Sequence, residues 1–415
     1  MFAPSALPIE RLRSRALATY FTAAALTSIA YIATFTVASL AAPEMTGSAG
    51  SSGWPSAVAV GGTALAAALL SSVMARRGRR AGIVLGISVA IAGGAVATWA
   101  VVAASMPMLL VGSAAVGFGN AAMNLSRYAA ADLFPVDRRA GALGFVVWGS
   151  TIGAVVGPNL VGPAGVVAPN LGLFPLAGGF AMASLFLLAA LAVAALGPRA
   201  PIQPHLDDPA RPAGQRAPTA RRLLADLVRR PRGRTALGAL VTSQLVMTLV
   251  MTMTPYHLHA EGHGLETVGL VISAHTFGMF AFSPLSGRLT DRFGAHAMVL
   301  AGFSVLAAAG LQAAINPESG AGLAIPMFLL GVGWNLGFVA GSSLLVSEAP
   351  LGDRARLQGA SDALVWTTAA LASFSSGYVV LTAGFATLAM AGAGVAIVLG
   401  LIVVVDRRTT AGARS

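Results

Sequence analysis

Twelve runs of about 20 apolar residues, each bounded by arginines or by Gly/Pro-rich breaks, constrain this chain more than any other feature. A hydrocarbon core about 30 Å thick takes about 20 residues of helix to cross. Runs of that length occupy 17–41, 55–75, 81–104, 107–127, 141–166 and 173–196, then 236–258, 266–287, 297–315, 323–346, 359–381 and 384–405. Backbone inside lipid must satisfy its own hydrogen bonds, so such runs are helices. The sequence therefore predicts an all-α integral membrane protein with 12 transmembrane helices. Of the 415 residues 56% are hydrophobic and 10% charged, a balance that excludes a soluble globule. The first run follows Arg11, Arg13 and Arg15 as a signal peptide would, but it is too long for one and more spans follow, so it reads as an uncleaved helix.

Charge fixes the expected orientation. All 26 basic residues are arginines, and with an inward N-terminus every one of them falls in an inner segment. That is the pattern of the positive-inside rule. Both termini are expected in the cytoplasm and the protein in the inner membrane. The net charge of +11 is thus spread between apolar runs rather than gathered into a nucleic-acid footprint, and no nucleic-acid partner is expected. Cysteine is absent, so no disulfide or thiolate site is available.

The chain repeats itself. Asn120, Pro135, Arg139 and Gly144 recur as Asn335, Pro350, Arg354 and Gly359 at a common offset of 215, while Arg76 and Gly78 recur as Arg292 and Gly294 at 216. The repeat predicts two pseudo-symmetric six-helix bundles, 1–196 and 235–415, joined by a hydrophilic linker at 197–234. Such halves hold a substrate near the midplane and rock about it. Within the linker, Arg221, Arg222, Arg229 and Arg230 alternate with Leu223, Leu224, Leu227 and Val228, as in a short basic amphipathic helix on anionic headgroups.

The stretch Gly287-Arg-Leu-Thr-Asp291-Arg292-Phe-Gly294 resembles the G-x-x-x-D-R-x-G loop of the major facilitator superfamily. Its first-half counterpart, Ser71 to Arg80, keeps Arg76, Arg77, Gly78, Arg79 and Arg80 but has Ala75 in place of the aspartate. The resemblance implies the major facilitator fold and a gating latch in which Asp291 and Arg292 pair with helix ends on one side. Arg76, Arg77, Asp132, Arg138, Arg139 and Arg354 are the other gating candidates. The series Gly149, Gly153, Gly157-Pro158 and Gly162 resembles the superfamily's glycine-rich fifth helix, associated with export and equally suited to helix packing. The fourth helix has Ser113 where many proton-linked members carry arginine, and Asp132, Glu348 and Asp362 stand near inner ends of spans. No carboxylate is expected deep in the membrane.

Met247 and Met251 in the seventh span, with His275 and Met279 in the eighth, are i, i+4 pairs that share a helix face. Counting from the outer boundary puts them at depths of about 10 to 20 Å. Thioether and imidazole together suit Cu(I). The spacing M-x-x-x-M then H-x-x-x-M resembles the CcoA-like copper-uptake branch of the superfamily, which implies these four as copper ligands and copper as transported substrate. Members of the same branch are associated with organic solutes such as riboflavin. His275 is in addition a candidate for proton coupling. His257, His259 and His263 lie near the outer end, where they would feed a metal inward or simply be solvated. Asn120, Asn124 and Arg127 form one stripe of the fourth helix, with Gln244 and Asn335 as counterparts, and read as a substrate path or as interhelical hydrogen bonding.

The expected function is alternating-access secondary transport of a metal ion or small molecule by a monomer, without a resident cofactor. Copper uptake is the first reading and proton-linked export or exchange of a small organic solute or drug the second. No H-E-x-x-H or G-x-S-x-G occurs, and no enzyme is expected.

Overall fold

In a computed structural model, which describes residues 6–47, 51, 53–198, 218–263, 265–349 and 351–412, every long element is a helix. The order is α1 (Ala6–Thr46), α2 (Trp54–Arg77), α3 (Arg79–Val102), α4 (Met106–Ala131), α5 (Arg139–Val167) and α6 (Pro175–Leu196). After these come α7 (Ala220–Arg229), α8 (Pro231–Ala260), α9 (Leu265–Phe280), α10 (Ser283–Phe293), α11 (Ala295–Ile315), α12 (Ala324–Glu348) and α13 (Arg354–Gly412).

Among the described residues, ten helical segments are individually long and apolar enough to cross a bilayer. The two remaining spans are hidden by local geometry. The eighth is split into α9 and α10, each too short to be counted alone. The eleventh shares α13 with the twelfth: 59 residues would extend about 90 Å if straight, three times the hydrocarbon core. Gly384, at φ 81° and ψ 166°, is the single non-helical residue in that element and marks the turn between them. Only a glycine adopts that conformation without strain.

The split in the eighth span has a covalent cause. Pro284 has no N–H for the Phe280 carbonyl, and its ring crowds the carbonyl four residues back, which favours a kink or break where the helix lapses here. Gly78 (φ 87°) and Gly294 (φ 84°), equivalent in the repeat, end α2 and α10 and start α3 and α11 after one residue.

The chain divides into two compact units. One comprises Met1–Pro135, Gly149–Pro218 and Pro350–Trp366, the other Val136–Trp148, Thr219–Ala349 and Thr367–Ser415. Each is built mainly from one half of the sequence and takes one short stretch from the other. In the first unit, Val37, Ala38, Ala41, Ala42, Ala97, Ala100, Leu109 and Phe180 form a core where α1, α3, α4 and α6 meet. Small residues let the backbones touch: a side chain on Gly62 would strike Ala114, and one on Gly117 would strike Ala59 and Thr63. In the second unit Gly278 of α9 and Gly331 of α12 pack in the same way.

Most of the linker, 199–217, lies outside the described residues. Its end forms α7, capped by Thr219, whose side chain accepts from the Arg222 amide. Leu223 and Leu227 are buried and α7 packs on α8, while Arg221, Arg222, Arg229 and Arg230 are exposed. The expected amphipathic helix is present, with its apolar face turned in part to protein.

Candidate substrate path and gating residues

The fourth-helix stripe is one hydrogen-bonded chain in the first unit. Asn120 Nδ2 donates to Thr63 Oγ1 at 3.3 Å, and Asn124 Nδ2 donates to the Asn120 carbonyl at 2.9 Å and to Oδ1 at 3.2 Å. Arg127 Nη1 then donates to the Asn124 carbonyl at 2.6 Å and to its Oδ1 at 3.3 Å. The chain ends on an ion pair between Arg127 Nη2 and Asp362 Oδ1 at 2.8 Å, and the Tyr128 hydroxyl donates to that same oxygen at 3.0 Å. Asp362 is 2% exposed. Asp362 is thus enclosed by protein, which its expected place near the inner end of a span did not convey. Counting from the apolar run set Asp362 at a helix end, but α13 starts at Arg354, two turns earlier, and the charged partner comes from the other half of the sequence.

A second buried cluster lies in the same unit. Asp132 Oδ2 accepts from Arg79 Nε and Nη2 at 3.0 and 2.8 Å, and its Oδ1 accepts from Arg354 Nη1 at 3.1 Å. Arg79 also reaches Gln358. Asp132 and Arg354 were expected gating residues; Arg79 was not. The sequence pointed to Arg76 and Arg77, which are exposed at the end of α2. The one-residue turn at Gly78 redirects the chain, so the inward-facing arginine is the first residue of α3.

In the second unit the aspartate is present and binds a helix terminus. Asp291 Oδ1 accepts from the Ala140 amide at 3.2 Å and Oδ2 from the Gly141 amide at 2.9 Å. These are free donors in the first turn of α5, where a carboxylate is also favoured by the helix dipole. Burial raises the Asp291 carboxyl above its ordinary range; the Gly141 and Ala140 amides oppose that rise and Asp137 adds to it. Gly287 and Gly144 permit the approach, since a side chain on either would meet the opposing backbone. Gly359 meets Ala67 and Ser71 in the equivalent place of the first unit. Arg292 does not join the latch: it is exposed and lies over the Phe293 ring at 5.3 Å. Arg138 is exposed and Arg139 is buried at the start of α5.

Asn335 is fully buried and serves the split in the eighth span. Its Nδ2 donates to the Met279 carbonyl and to Ser283 Oγ, both at 2.6 Å, and its Oδ1 accepts from Ser286 Oγ. In an unbroken helix the Met279 carbonyl would take the Ser283 amide; here the side chain of Asn335 takes its place. This gives Asn335 an interhelical hydrogen-bonding task, the alternative to its expected place on a substrate path.

Gln244 Oε1 accepts from Trp334 Nε1 at 3.0 Å and its Nε2 donates to Thr248 Oγ1 at 3.2 Å. Trp334 stacks on Phe338 at 4.4 Å and meets the edge of Phe280 at 5.8 Å. Met247 lies alongside, its sulfur 4.0 Å from the Thr248 hydroxyl.

His275 turns to α12 rather than α8. Its Nδ1 lies 3.0 Å from the Met327 carbonyl. A carbonyl only accepts, so Nδ1 carries the proton and Nε2 is left with its lone pair. Nε2 is buried without a hydrogen-bond partner. The Met327 sulfur accepts from Thr254 of α8 at 3.4 Å, so a methionine from the tenth span, which local spacing could not reveal, stands at this site. Met279 is one turn along α9 and Met251 is half-buried on α8. Among the histidines expected near the outer end, His257 Nε2 binds the Pro317 carbonyl at 2.8 Å and its ring stacks on Phe385 at 4.3 Å, while His263 Nε2 binds the Glu318 carbonyl at 2.9 Å. They act as loop clamps. The side chain of His259 lies outside the described residues.

The fifth-helix glycines pack against α1. Side chains on Gly149, Gly153 and Gly157 would meet Phe21, Ser28 and Ile29, and one on Gly162 would meet nothing. The side chain of Pro158 lies outside the described residues. We expect Gly153→Val to force α1 and α5 apart and to lower stability by about 1–3 kcal/mol, with Gly162→Val unchanged, as read by thermal unfolding in detergent; equal effects would refute the packing account.

Comparison with known proteins agrees with this architecture. The family model of the Major Facilitator Superfamily matches residues 20–268 and 235–415. The uncharacterized MFS-type transporter YddS of Bacillus subtilis is 36% identical over 89% of this chain and 85% of its own length. The riboflavin transporter RfnT of Brucella anthropi is 30% identical over 79% of each. Among solved structures, the human organic anion transporter MFSD10 superposes with a TM-score of 0.75 at 17% identity, over 94% of this chain and 99% of that one. The proton:xylose symporter XylE gives 0.74 at 15% identity, over 95% of both. Two matches of one family model along a doubled set of spans leave one assignment: the chain is a transporter of the Major Facilitator Superfamily.

Proposed function

We propose that the protein moves a small planar organic solute across the inner membrane by alternating access, as a monomer with both termini in the cytoplasm. The observation that carries this reading is the Gln244–Trp334 pair. Trp334 is held by the hydrogen bond to Gln244 and flanked by Phe338 and Phe280, and with Gln244 and Phe338 it is buried in this state, so its aromatic face meets a solute only in a state of the transport cycle that opens the cluster. Aromatic walls with a few placed polar groups are what a planar heterocycle needs. The identity to RfnT makes riboflavin the probe of choice. We expect proteoliposomes to take up labelled riboflavin and Trp334→Ala to reduce that uptake about tenfold or more, a loss of one good stacking contact, with Trp334→Phe intermediate. Absence of riboflavin uptake by the wild type would defeat this substrate.

A second reading, copper uptake, is favoured by His275. A histidine whose Nδ1–H is anchored on a carbonyl and whose Nε2 lone pair is buried and unused has the arrangement of a metal ligand with its outer support in place. Met279, Met251 and Met247 are the sulfur ligands this reading requires. Cells expressing His275→Leu or Met251→Leu are then expected to accumulate less radiolabelled copper than wild type at equal protein abundance. Unaltered accumulation would remove copper from consideration.

A further inference from the structure

We propose that α7 is a binding site for an acidic phospholipid, which sets its phosphate on the arginines of the helix and the start of its acyl chains on Leu224 and Val228. The site is independent of which solute is carried.

Its place follows from the chain. α8 is apolar enough to cross a bilayer from its first residue, Pro231, and a single residue, Arg230, separates it from the end of α7 at Arg229. A helix joined so closely to the end of a span lies at the membrane surface, with lipid headgroups as its neighbours. It is also fixed there. Leu223 and Leu227 are buried, and a side chain on Gly233 of α8 would strike the Leu227 carbonyl.

The order of side chains around the helix selects the ligand. At about 100° per residue, the buried pair Leu223 and Leu227 is followed by Leu224 and Val228, then by Arg221, then by Arg229 and Arg222, with Asp226 beyond them. Leu224 is half-buried and Val228 is 38% exposed, whereas the arginines are exposed. From the protein outward the surface is therefore apolar first and cationic second. A phospholipid presents its chains and its phosphate in that same order. Inorganic phosphate or an acidic peptide would answer the arginines and leave the Leu224/Val228 strip in water.

The arginines are available for the phosphate. From Ala220 to Arg230, four arginines against one aspartate leave a net charge of +3. Asp226 meets Arg229 Nη1 at 3.2 Å and Arg222 Nε at 3.9 Å, and both pairs are open to solvent, where such pairs hold weakly. Arg221, next to the apolar strip, has no ion pair among the described residues. Guanidiniums bind phosphate oxygens through paired N–H donors. Arg232 is not part of the site, since its Nε pairs with Glu348 Oε1 at 3.3 Å.

The experiment follows hydrogen exchange of the α7 amides in the full-length protein, held in detergent and titrated with dioleoyl phosphatidylglycerol. Dioleoyl phosphatidylcholine, glycerol phosphate and polyglutamate are separate arms. Phosphatidylglycerol should slow exchange, less so as salt rises, and the other three should not at the same concentration. The attraction of one arginine to an anionic surface corresponds to about fivefold in affinity. The half-protecting concentration for Arg221→Gln/Arg222→Gln/Arg229→Gln should therefore rise about a hundredfold. Leu224→Ser/Val228→Ser should weaken protection while keeping its salt dependence. Both variants leave Leu223 and Leu227 to seat the helix, which equal exchange of α7 in variant and wild type without lipid verifies. Equal protection by phosphatidylcholine would leave only an apolar contact. Equal protection by glycerol phosphate would make this a phosphate site without lipid, and by polyglutamate a surface for an acidic protein. Any of these, or an unshifted half-protecting concentration in the triple variant, overturns the proposal.

Discussion

Asp132→Ala should be among the most damaging substitutions in the protein. One carboxylate holds two buried guanidiniums, Arg79 and Arg354, which are 9% and 5% exposed. Its removal takes this carboxylate from both charges, and breaking one buried pair already costs about 3–5 kcal/mol. Asp132→Asn keeps an acceptor but loses the charge and should recover a minor part of the loss. Asp137→Ala, at an exposed site five residues on, is the control. Thermal unfolding of detergent-purified protein checks the order: a midpoint for Asp132→Ala equal to that of Asp137→Ala would remove the cluster from the list of structural determinants.

Asn335→Leu is the second. Three hydrogen bonds vanish, and the Met279 carbonyl and the Ser283 and Ser286 hydroxyls are left in a buried place. At about 1–3 kcal/mol for each unsatisfied group, the total reaches several kcal/mol. The damage should be local first. Amide hydrogen exchange is expected to quicken at 280–286, where the split eighth span loses its external support, before the rest of α12 is affected. Exchange that rises evenly along α9, α10 and α12 would show that Asn335 is a general packing residue rather than a clamp.

These two sites also mark what the amino-acid order could and could not convey. Twelve spans were legible because bilayer thickness imposes one length on every apolar run. The break in the eighth was written in Ser283-Pro284 and was passed over inside a run that read as continuous. The Asn120–Asn124–Arg127 stripe followed from helical spacing alone. Its terminus at Asp362 did not, since that partner is 235 positions away and no local period links them. Arg79 was missed for a different reason: which of five neighbouring residues faces inward is decided by the φ of Gly78, not by their chemistry. The Met/His pairs were found by spacing, yet the ring of His275 took a partner on α12, because the contact order of spans is set by tertiary packing.

The His257 ring carries a consequence for biogenesis. It bonds the 316–320 connection and stacks on Phe385, the residue just after the turn that begins the last span. A ribosome delivers these three stretches in sequence, and the last emerges when synthesis is nearly finished. The end of α8 that carries His257 therefore lacks its final neighbours until then. Truncations ahead of Phe385 should be recognised as immature even though eleven spans have already been threaded.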